Sequence, residues 1–165
     1  MDSGNAVRAA IVDQDRADPR IPPAAGRGLT EDAVQAGMDM CRIVVIDDEP
    51  LVLRATKRLL QGLGHRVRTY ADGRIALELM RREFAEVVLV DLHMSEMDGI
   101  QVICRLLALD YPPAVIVMSG DAKALVKQRL DNVGLAERVG YLGKPFTVSE
   151  LEEELGRALR SRVSH

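Results

Sequence analysis

The 165-residue chain is poor in cysteine, in long apolar runs and in net basic charge. Its two cysteines, Cys41 and Cys104, stand 63 positions apart with no CxxC neighbour. That spacing argues against a disulfide framework or a zinc cluster and fits a reducing compartment, with both thiols expected as small buried hydrophobes. No apolar run approaches the roughly 20 residues that span a bilayer, and no basic flank leads into an apolar segment at the N-terminus. The expectation is a cytoplasmic protein without membrane association. Lys and Arg total 22 against 25 Asp and Glu, a formal charge of −3. The charge is unevenly placed: residues 1–40 hold seven acids and four bases, and the remaining 125 hold 18 of each sign. A surface for polyanions wants a clustered basic excess, so direct nucleic-acid binding is a poor reading. Phosphate-cradling loops are missing as well, because there is no GxxxxGK[ST], and Gly62-x-Gly64 follows a helical stretch without a third glycine.

What is present falls into two parts. Residues 1–40, with Pro22-Pro23 and Gly26-Arg27-Gly28, read as a disordered N-terminal extension. Met38 and Met40 precede the first apolar run, which makes a natural start there one expectation. From residue 41 to 163 a single domain is expected. Ile43–Ile46, Val87–Val90 and Ala114–Met118 are short continuous apolar runs, the pattern of parallel strands covered on both faces. Val67–Tyr70 and Val139–Leu142 read as two weaker strands. Between them lie amphipathic stretches with helical spacing: Leu53, Leu59, Leu60 and Leu63; Ile75, Leu79 and Met80; Ile100, Ile103 and Leu107. A further helix is expected around Lys123–Asn132, and a last one opens on the capping box Thr147-Val148-Ser149-Glu150. Five strand–helix pairs imply an α/β fold: a doubly wound five-stranded parallel sheet with helices on both faces and its ligand site beyond the strands' carboxyl ends.

Asp47, Asp48, Asp91 and Ser119 fall at that edge. Taken singly, each aspartate is an ordinary turn or cap residue, Ser119 a turn residue and Lys144 a solvated charge. Taken together they form a different object. Three carboxylates in one crevice need compensation, and a divalent cation such as Mg²⁺, with its preference for oxygen ligands, supplies it. Lys144 adds a point charge suited to phosphate, and Ser119 a hydroxyl for a phosphoryl oxygen. Tyr141 reads equally well as a core aromatic, and Met94, Met97 and Met118 read as packing. His65, His93 and His165 are too scattered for a metal set.

The strings Ile46-Asp47-Asp48-Glu49-Pro50, Val90-Asp91-Leu92-His93-Met94-Ser95-Glu96-Met97-Asp98-Gly99, Met118-Ser119-Gly120 and Lys144-Pro145-Phe146 together resemble the receiver domain of two-component response regulators, over about residues 41–162. The resemblance implies a flavodoxin-like fold with strand order 2-1-3-4-5 and five helices. By position it makes Asp91 the phosphoacceptor, with a histidine kinase or histidine phosphotransfer protein as donor. Asp47, Asp48 and Asp91 become ligands of Mg²⁺, joined by the backbone carbonyl of His93. Lys144 then pairs with the phosphoryl group, and Ser119 and Tyr141 act as the coupled switch residues. Signalling passes through the face of the fourth helix, fifth strand and fifth helix to a downstream protein, with a phosphorylation-dependent homodimer as one outcome. Such a domain catalyses only its own phosphoryl transfer and is not expected to act on a separate substrate.

Two departures from the family pattern stand out. Ser95 takes the place of a common proline, which implies a less rigid loop, and the segment from Ser119 to Lys144 is a few residues longer than in compact chemotaxis-type receivers. His93 and Asp121 occupy positions that in the family tune water attack on the phosphoryl group. Only 21 residues follow Lys144, too few for a DNA-binding output domain, so a stand-alone receiver is expected. The alternatives are a docking receiver that is never phosphorylated, and an aspartate-nucleophile phosphatase. The phosphatase reading is disfavoured because Asp47 and Asp48 are adjacent instead of spaced Asp-x-Asp, and no cap insertion is present.

Overall fold

The computed structural model describes residues 40–163, so the readings made for residues 1–39, the N-terminal extension and a start at Met38 among them, and for His165 lie outside them. Strands and helices alternate: β1 (Arg42–Ile46), α1 (Pro50–Gly62), β2 (Arg66–Tyr70), α2 (Gly73–Met80), β3 (Val87–Asp91), α3 (Gly99–Leu107), β4 (Ala114–Ser119), α4 (Lys123–Asp131), β5 (Val139–Gly143) and α5 (Val148–Val163). The strands form one sheet in the order β2-β1-β3-β4-β5, with every neighbouring pair parallel. This is the flavodoxin-like arrangement that the family resemblance implies.

Side chains of a strand point alternately to its two faces, and here both faces are apolar. Val44, Ile46, Val88, Val90, Val115 and Val117 pack with Leu77, Ile103, Leu106, Val126 and Leu130 of α2, α3 and α4. Ile43, Val45, Val87, Leu89, Ile116 and Met118 pack with Leu53 and Leu60 of α1 and Leu151, Leu155 and Leu159 of α5. β3, central and covered on both sides, is buried along its whole length. The helical stripes differ in detail from the expected ones. Leu59, Leu63, Ile75, Leu79 and Leu107 are only half-buried, while Thr56, Ala76, Leu77 and Leu106 complete the inner faces.

Cys104 departs from expectation because it is exposed, whereas Cys41 is buried. α3 buries Gly99, Val102, Ile103 and Leu106, and position 104 lies a further 100° round the helix from 103, past the edge of that stripe.

Local chemistry sets the helix starts. Asp72 caps α2 by accepting the Arg74 N–H at 2.8 Å, and Asp98 caps α3 through the Ile100 N–H at 2.8 Å. α1 has no side-chain cap and starts with Pro50, whose missing N–H is no loss at that position. The expected capping box opens α5: Thr147 Oγ1 accepts the Glu150 N–H at 3.3 Å, and Glu150 Oε2 accepts the Thr147 N–H at 2.7 Å. α4 is the most lightly anchored helix, burying only Val126 and Leu130 and leaving Leu125 exposed. The peptide bond between Lys144 and Pro145 is cis.

Candidate functional site

β1 lies between β2 and β3, so the chain winds off in opposite directions from the centre of the sheet. Such a switch point opens a crevice beyond the strands' carboxyl ends. Asp47 and Asp48 follow β1, Asp91 ends β3, Ser119 ends β4 and Lys144 follows β5, so the fold brings all five residues to one edge.

Lys144 is the centre of this crevice. Its ammonium donates to Asp47 Oδ2 at 2.6 Å and to Asp91 Oδ1 at 3.0 Å. Asp47 is fully buried and Asp91 is 4% exposed. The second oxygen of each carboxylate is also engaged: Asp47 Oδ1 accepts the Glu49 N–H at 2.9 Å, and Asp91 Oδ2 accepts the His93 N–H at 3.1 Å. Asp48 is half-buried, and one oxygen from each of Asp47, Asp48 and Asp91 lies within 4.8 Å of the others.

The two ends of the Lys144–Asp47 bridge respond to burial differently. Desolvation pushes the Asp47 carboxyl above its ordinary range, and the bonds from Lys144 and the Glu49 N–H recover only part of that. Burial also works against the Lys144 charge, but the two carboxylates outweigh it and hold the ammonium above its usual pKa. Three carboxylates against one ammonium leave the crevice negative, and for Asp47 the lysine alone is insufficient compensation. An all-oxygen donor set with surplus negative charge fits a hard divalent cation.

A second layer of bonds surrounds this centre. Ser119 is buried, and its Oγ accepts the Asp121 N–H at 3.1 Å. Tyr141 is half-buried, and its hydroxyl donates to the Asp121 carbonyl at 2.7 Å. The Asp121 carboxylate lies 2.6 Å from His93 Nε2. One residue after β4 therefore holds the hydroxyls of both expected switch residues and the loop that follows Asp91. Gly99 is required beside that loop: a Cβ there would collide with the Asp91 carbonyl and sit 2.7 Å from the Leu92 Cα.

Ser95 makes a bond that the proline common at this position could not. Its backbone N–H, which a proline would lack, donates to Asp48 Oδ2 at 2.7 Å. Arg74 holds Glu96 at 2.8 Å and Arg129 holds Asp98 at 3.0 Å, so the loop is tied to β1, α2 and α4. Sequence reasoning had no signal for the Ser95 bond, because every residue but proline carries the same N–H. It also passed over Glu154, a 6% exposed carboxylate on α5 that accepts the Tyr141 N–H at 3.1 Å. The apolar neighbours Leu151 and Leu155 mark that face of α5 as inward, which was the available sign.

Comparison with known proteins agrees with the geometry. The response regulator receiver domain family matches residues 43–156. The transcriptional regulatory protein PrrA of Mycobacterium tuberculosis is 32% identical over 131 residues, covering 79% of this chain and 55% of that protein. The positive alginate biosynthesis regulatory protein of Pseudomonas aeruginosa is 36% identical over 122 residues, covering 72% of this chain and 47% of that protein. This chain thus spans about half the length of these regulators. Among solved structures, the Vibrio cholerae chemotaxis protein CheY4 superposes with a TM-score of 0.64 at 27% identity, covering 73% of this chain and 99% of that one. A CheY-like receiver domain protein of Methanospirillum hungatei reaches 0.66 at 25% identity, covering 76% and 98%. With its five-stranded switch-point sheet and its crevice of three aspartates and a lysine, the chain belongs to the response regulator receiver family.

Proposed function

We propose that Asp91 is the phosphoacceptor of a magnesium-dependent receiver switch. The observation that carries this reading is the Asp91 carboxylate itself, 4% exposed, bonded to Lys144 at 3.0 Å and clustered with two further aspartates. An ionised Asp91 oxygen attacks the phosphorus of a phosphohistidine. The bond from phosphorus to the donor nitrogen breaks with its electron pair leaving on the donor, and an aspartyl phosphate forms. Water attacking the same phosphorus returns the carboxylate and inorganic phosphate. Mg²⁺ held by Asp47, Asp48, Asp91 and the His93 carbonyl would neutralise charge on the transferred phosphoryl group. Lys144, already in contact with Asp91, turns its ammonium to a phosphoryl oxygen.

Ser119 and Tyr141 carry the signal outward. Both hydroxyls now rest on Asp121, so a phosphoryl group that draws Ser119 toward it disturbs the contact that also positions Tyr141. A switch from 1:99 to 99:1 needs about 5.5 kcal/mol of differential binding, within reach of a few charge-assisted bonds. The lightly anchored α4, with β5 and α5, is the face that changes. The donor is a histidine kinase or histidine phosphotransfer protein, the receiver of the signal is a downstream protein, and the setting is the cytoplasm. Incubating the protein with a small acyl phosphate, with and without Mg²⁺, tests the reading. Intact mass should rise by one phosphoryl group only with Mg²⁺, and not in Asp91→Asn. No gain in the wild type, or a gain that survives Asp91→Asn, overturns it.

A further inference from the structure

Glu154 is a charged side chain in the interior that the phosphoacceptor chemistry does not use. It is 6% exposed and lies between Leu151 and Leu155, which pack on the sheet from α5. A carboxylate so placed is expensive to bury without full compensation. Its compensation is specific. Oε1 accepts the N–H of Tyr141 at 3.1 Å. Oε2 accepts from Arg157 Nη1, and Arg157 in turn holds Glu153 at 2.7 Å. The strand is shaped to receive it: a Cβ on Gly140 would collide with Glu154 Oε1.

β5 is the edge strand of the sheet, paired only with β4. Alternate N–H groups of such a strand point away from the sheet, where an edge amide would otherwise meet water, and the Tyr141 N–H is one of them, since it donates to Glu154. Glu154 takes the place of the missing neighbour strand at this one residue. The same residue bonds Asp121 through its hydroxyl at 2.7 Å, and three positions later the strand delivers Lys144 to Asp91.

From this geometry we infer that Glu154 is a positioning residue, fixing the backbone of β5 at Tyr141 to α5 so that a change at Ser119 and Asp121 moves the Tyr141 ring and not the strand. The inference rests on the phosphoacceptor reading for its consequence, but the tie itself is independent of phosphorylation. A continuous path of bonds then runs from Arg157 on the surface of α5 through Glu154, Tyr141 and Asp121 to Ser119. Arg157 is half exposed and shared with Glu153, so a partner that drew it away would leave Glu154 with the Tyr141 N–H and without its cation.

Two measurements on the full chain test this. In ¹⁵N-labelled protein, hydrogen exchange at the Tyr141 amide should accelerate by about tenfold or more in Glu154→Ala, and by less than about threefold in Glu154→Gln, which keeps an acceptor oxygen. Gly140→Ala should mimic Glu154→Ala by displacing the carboxylate. With 3-fluorotyrosine incorporated, an acyl phosphate and Mg²⁺ should shift the Tyr141 fluorine resonance in the wild type. In Glu154→Ala, Asp91 should take up its phosphoryl group as before while that shift falls by more than half. Wild-type exchange at Tyr141 in Glu154→Ala, or an undiminished fluorine shift in it, overturns the inference. Failure of the wild type to gain a phosphoryl group counts instead against the phosphoacceptor reading, and the exchange measurement still decides the tie.

Discussion

Replacing Lys144 by methionine removes the only side-chain cation bonded to Asp47 and Asp91 among the described residues, while keeping most of the aliphatic stem. In the wild type the ammonium makes bonds of 2.6 and 3.0 Å to carboxylates whose side chains are 0% and 6% exposed, and is itself 18% exposed. Screening by solvent is therefore weak. Breaking a buried charge pair by deleting one partner destabilises by roughly 3–5 kcal/mol, mostly because the other charge stays buried and unpaired. The mouth of the crevice is partly open, which argues for the lower end, about 3 kcal/mol. With a urea m-value of about 1.5 kcal/mol/M, the unfolding midpoint should fall by roughly 2 M. At about 4 °C per kcal/mol, Tm should fall by roughly 12 °C. Far-ultraviolet circular dichroism is the suitable probe, since the chain has no tryptophan. On the proposed magnesium reading, the ion at about ten times its dissociation constant should return about 1.4 kcal/mol, as a ligand of the folded acidic cluster alone would. A Tm within about 2 °C of the wild type, measured without divalent cations, would refute the assignment of Lys144 as the buried counter-charge and return it to an ordinary solvated lysine.

Two further outcomes follow from the interior. His65 is 5% exposed, and its Nδ1 accepts the Cys41 N–H at 3.3 Å, while burial pushes its pKa below the ordinary value against a smaller upward pull from Glu152. The unfolded chain then takes up a proton before the folded one does. Stability should drop as pH falls below about 6.5, by at most about 1.4 kcal/mol per pH unit, and urea titrations of His65→Phe at pH 7.5 and 5.5 should show a shallower dependence. Leu155→Ala, at a fully buried position between α5 and the sheet, should destabilise by about 2–5 kcal/mol, whereas Cys104→Ser on the outer face of α3 should stay within about 0.5 kcal/mol by the same measurement.

Much of this was legible residue by residue. The apolar runs at Ile43, Val87 and Ala114 are strands because β-branched and aliphatic side chains suit a sheet covered on both faces, and that requirement is written locally. The capping box at Thr147 and Glu150 is equally local, and it forms as read. Less legible was which residue of an amphipathic stretch would be innermost. Ala76 and Thr56 are buried while Ile75 and Leu59 are not, because the closeness of a helix to the sheet decides this, and hydrophobicity alone does not. Cys104 was misjudged for the same reason. Its residue type suits an interior, but the angle of α3 turns it outward.

For the site, residue types and their arrival at one sheet edge could be inferred from the order of strands and loops. Their bonding could not. An alternating parallel α/β domain, with acids, a serine and a lysine at its strand ends, follows from the order of residues alone, since periodicity and turn chemistry act between near neighbours. That Lys144 bridges Asp47 and Asp91, 97 and 53 positions away, becomes visible in the folded chain. The same holds for the Ser95 N–H on Asp48 and for Glu154 on the edge of β5. Those contacts depend on strand register and helix packing, which place atoms from distant segments within 3 Å or so of each other, and hydrogen bonds are short enough that nothing coarser than those coordinates specifies them.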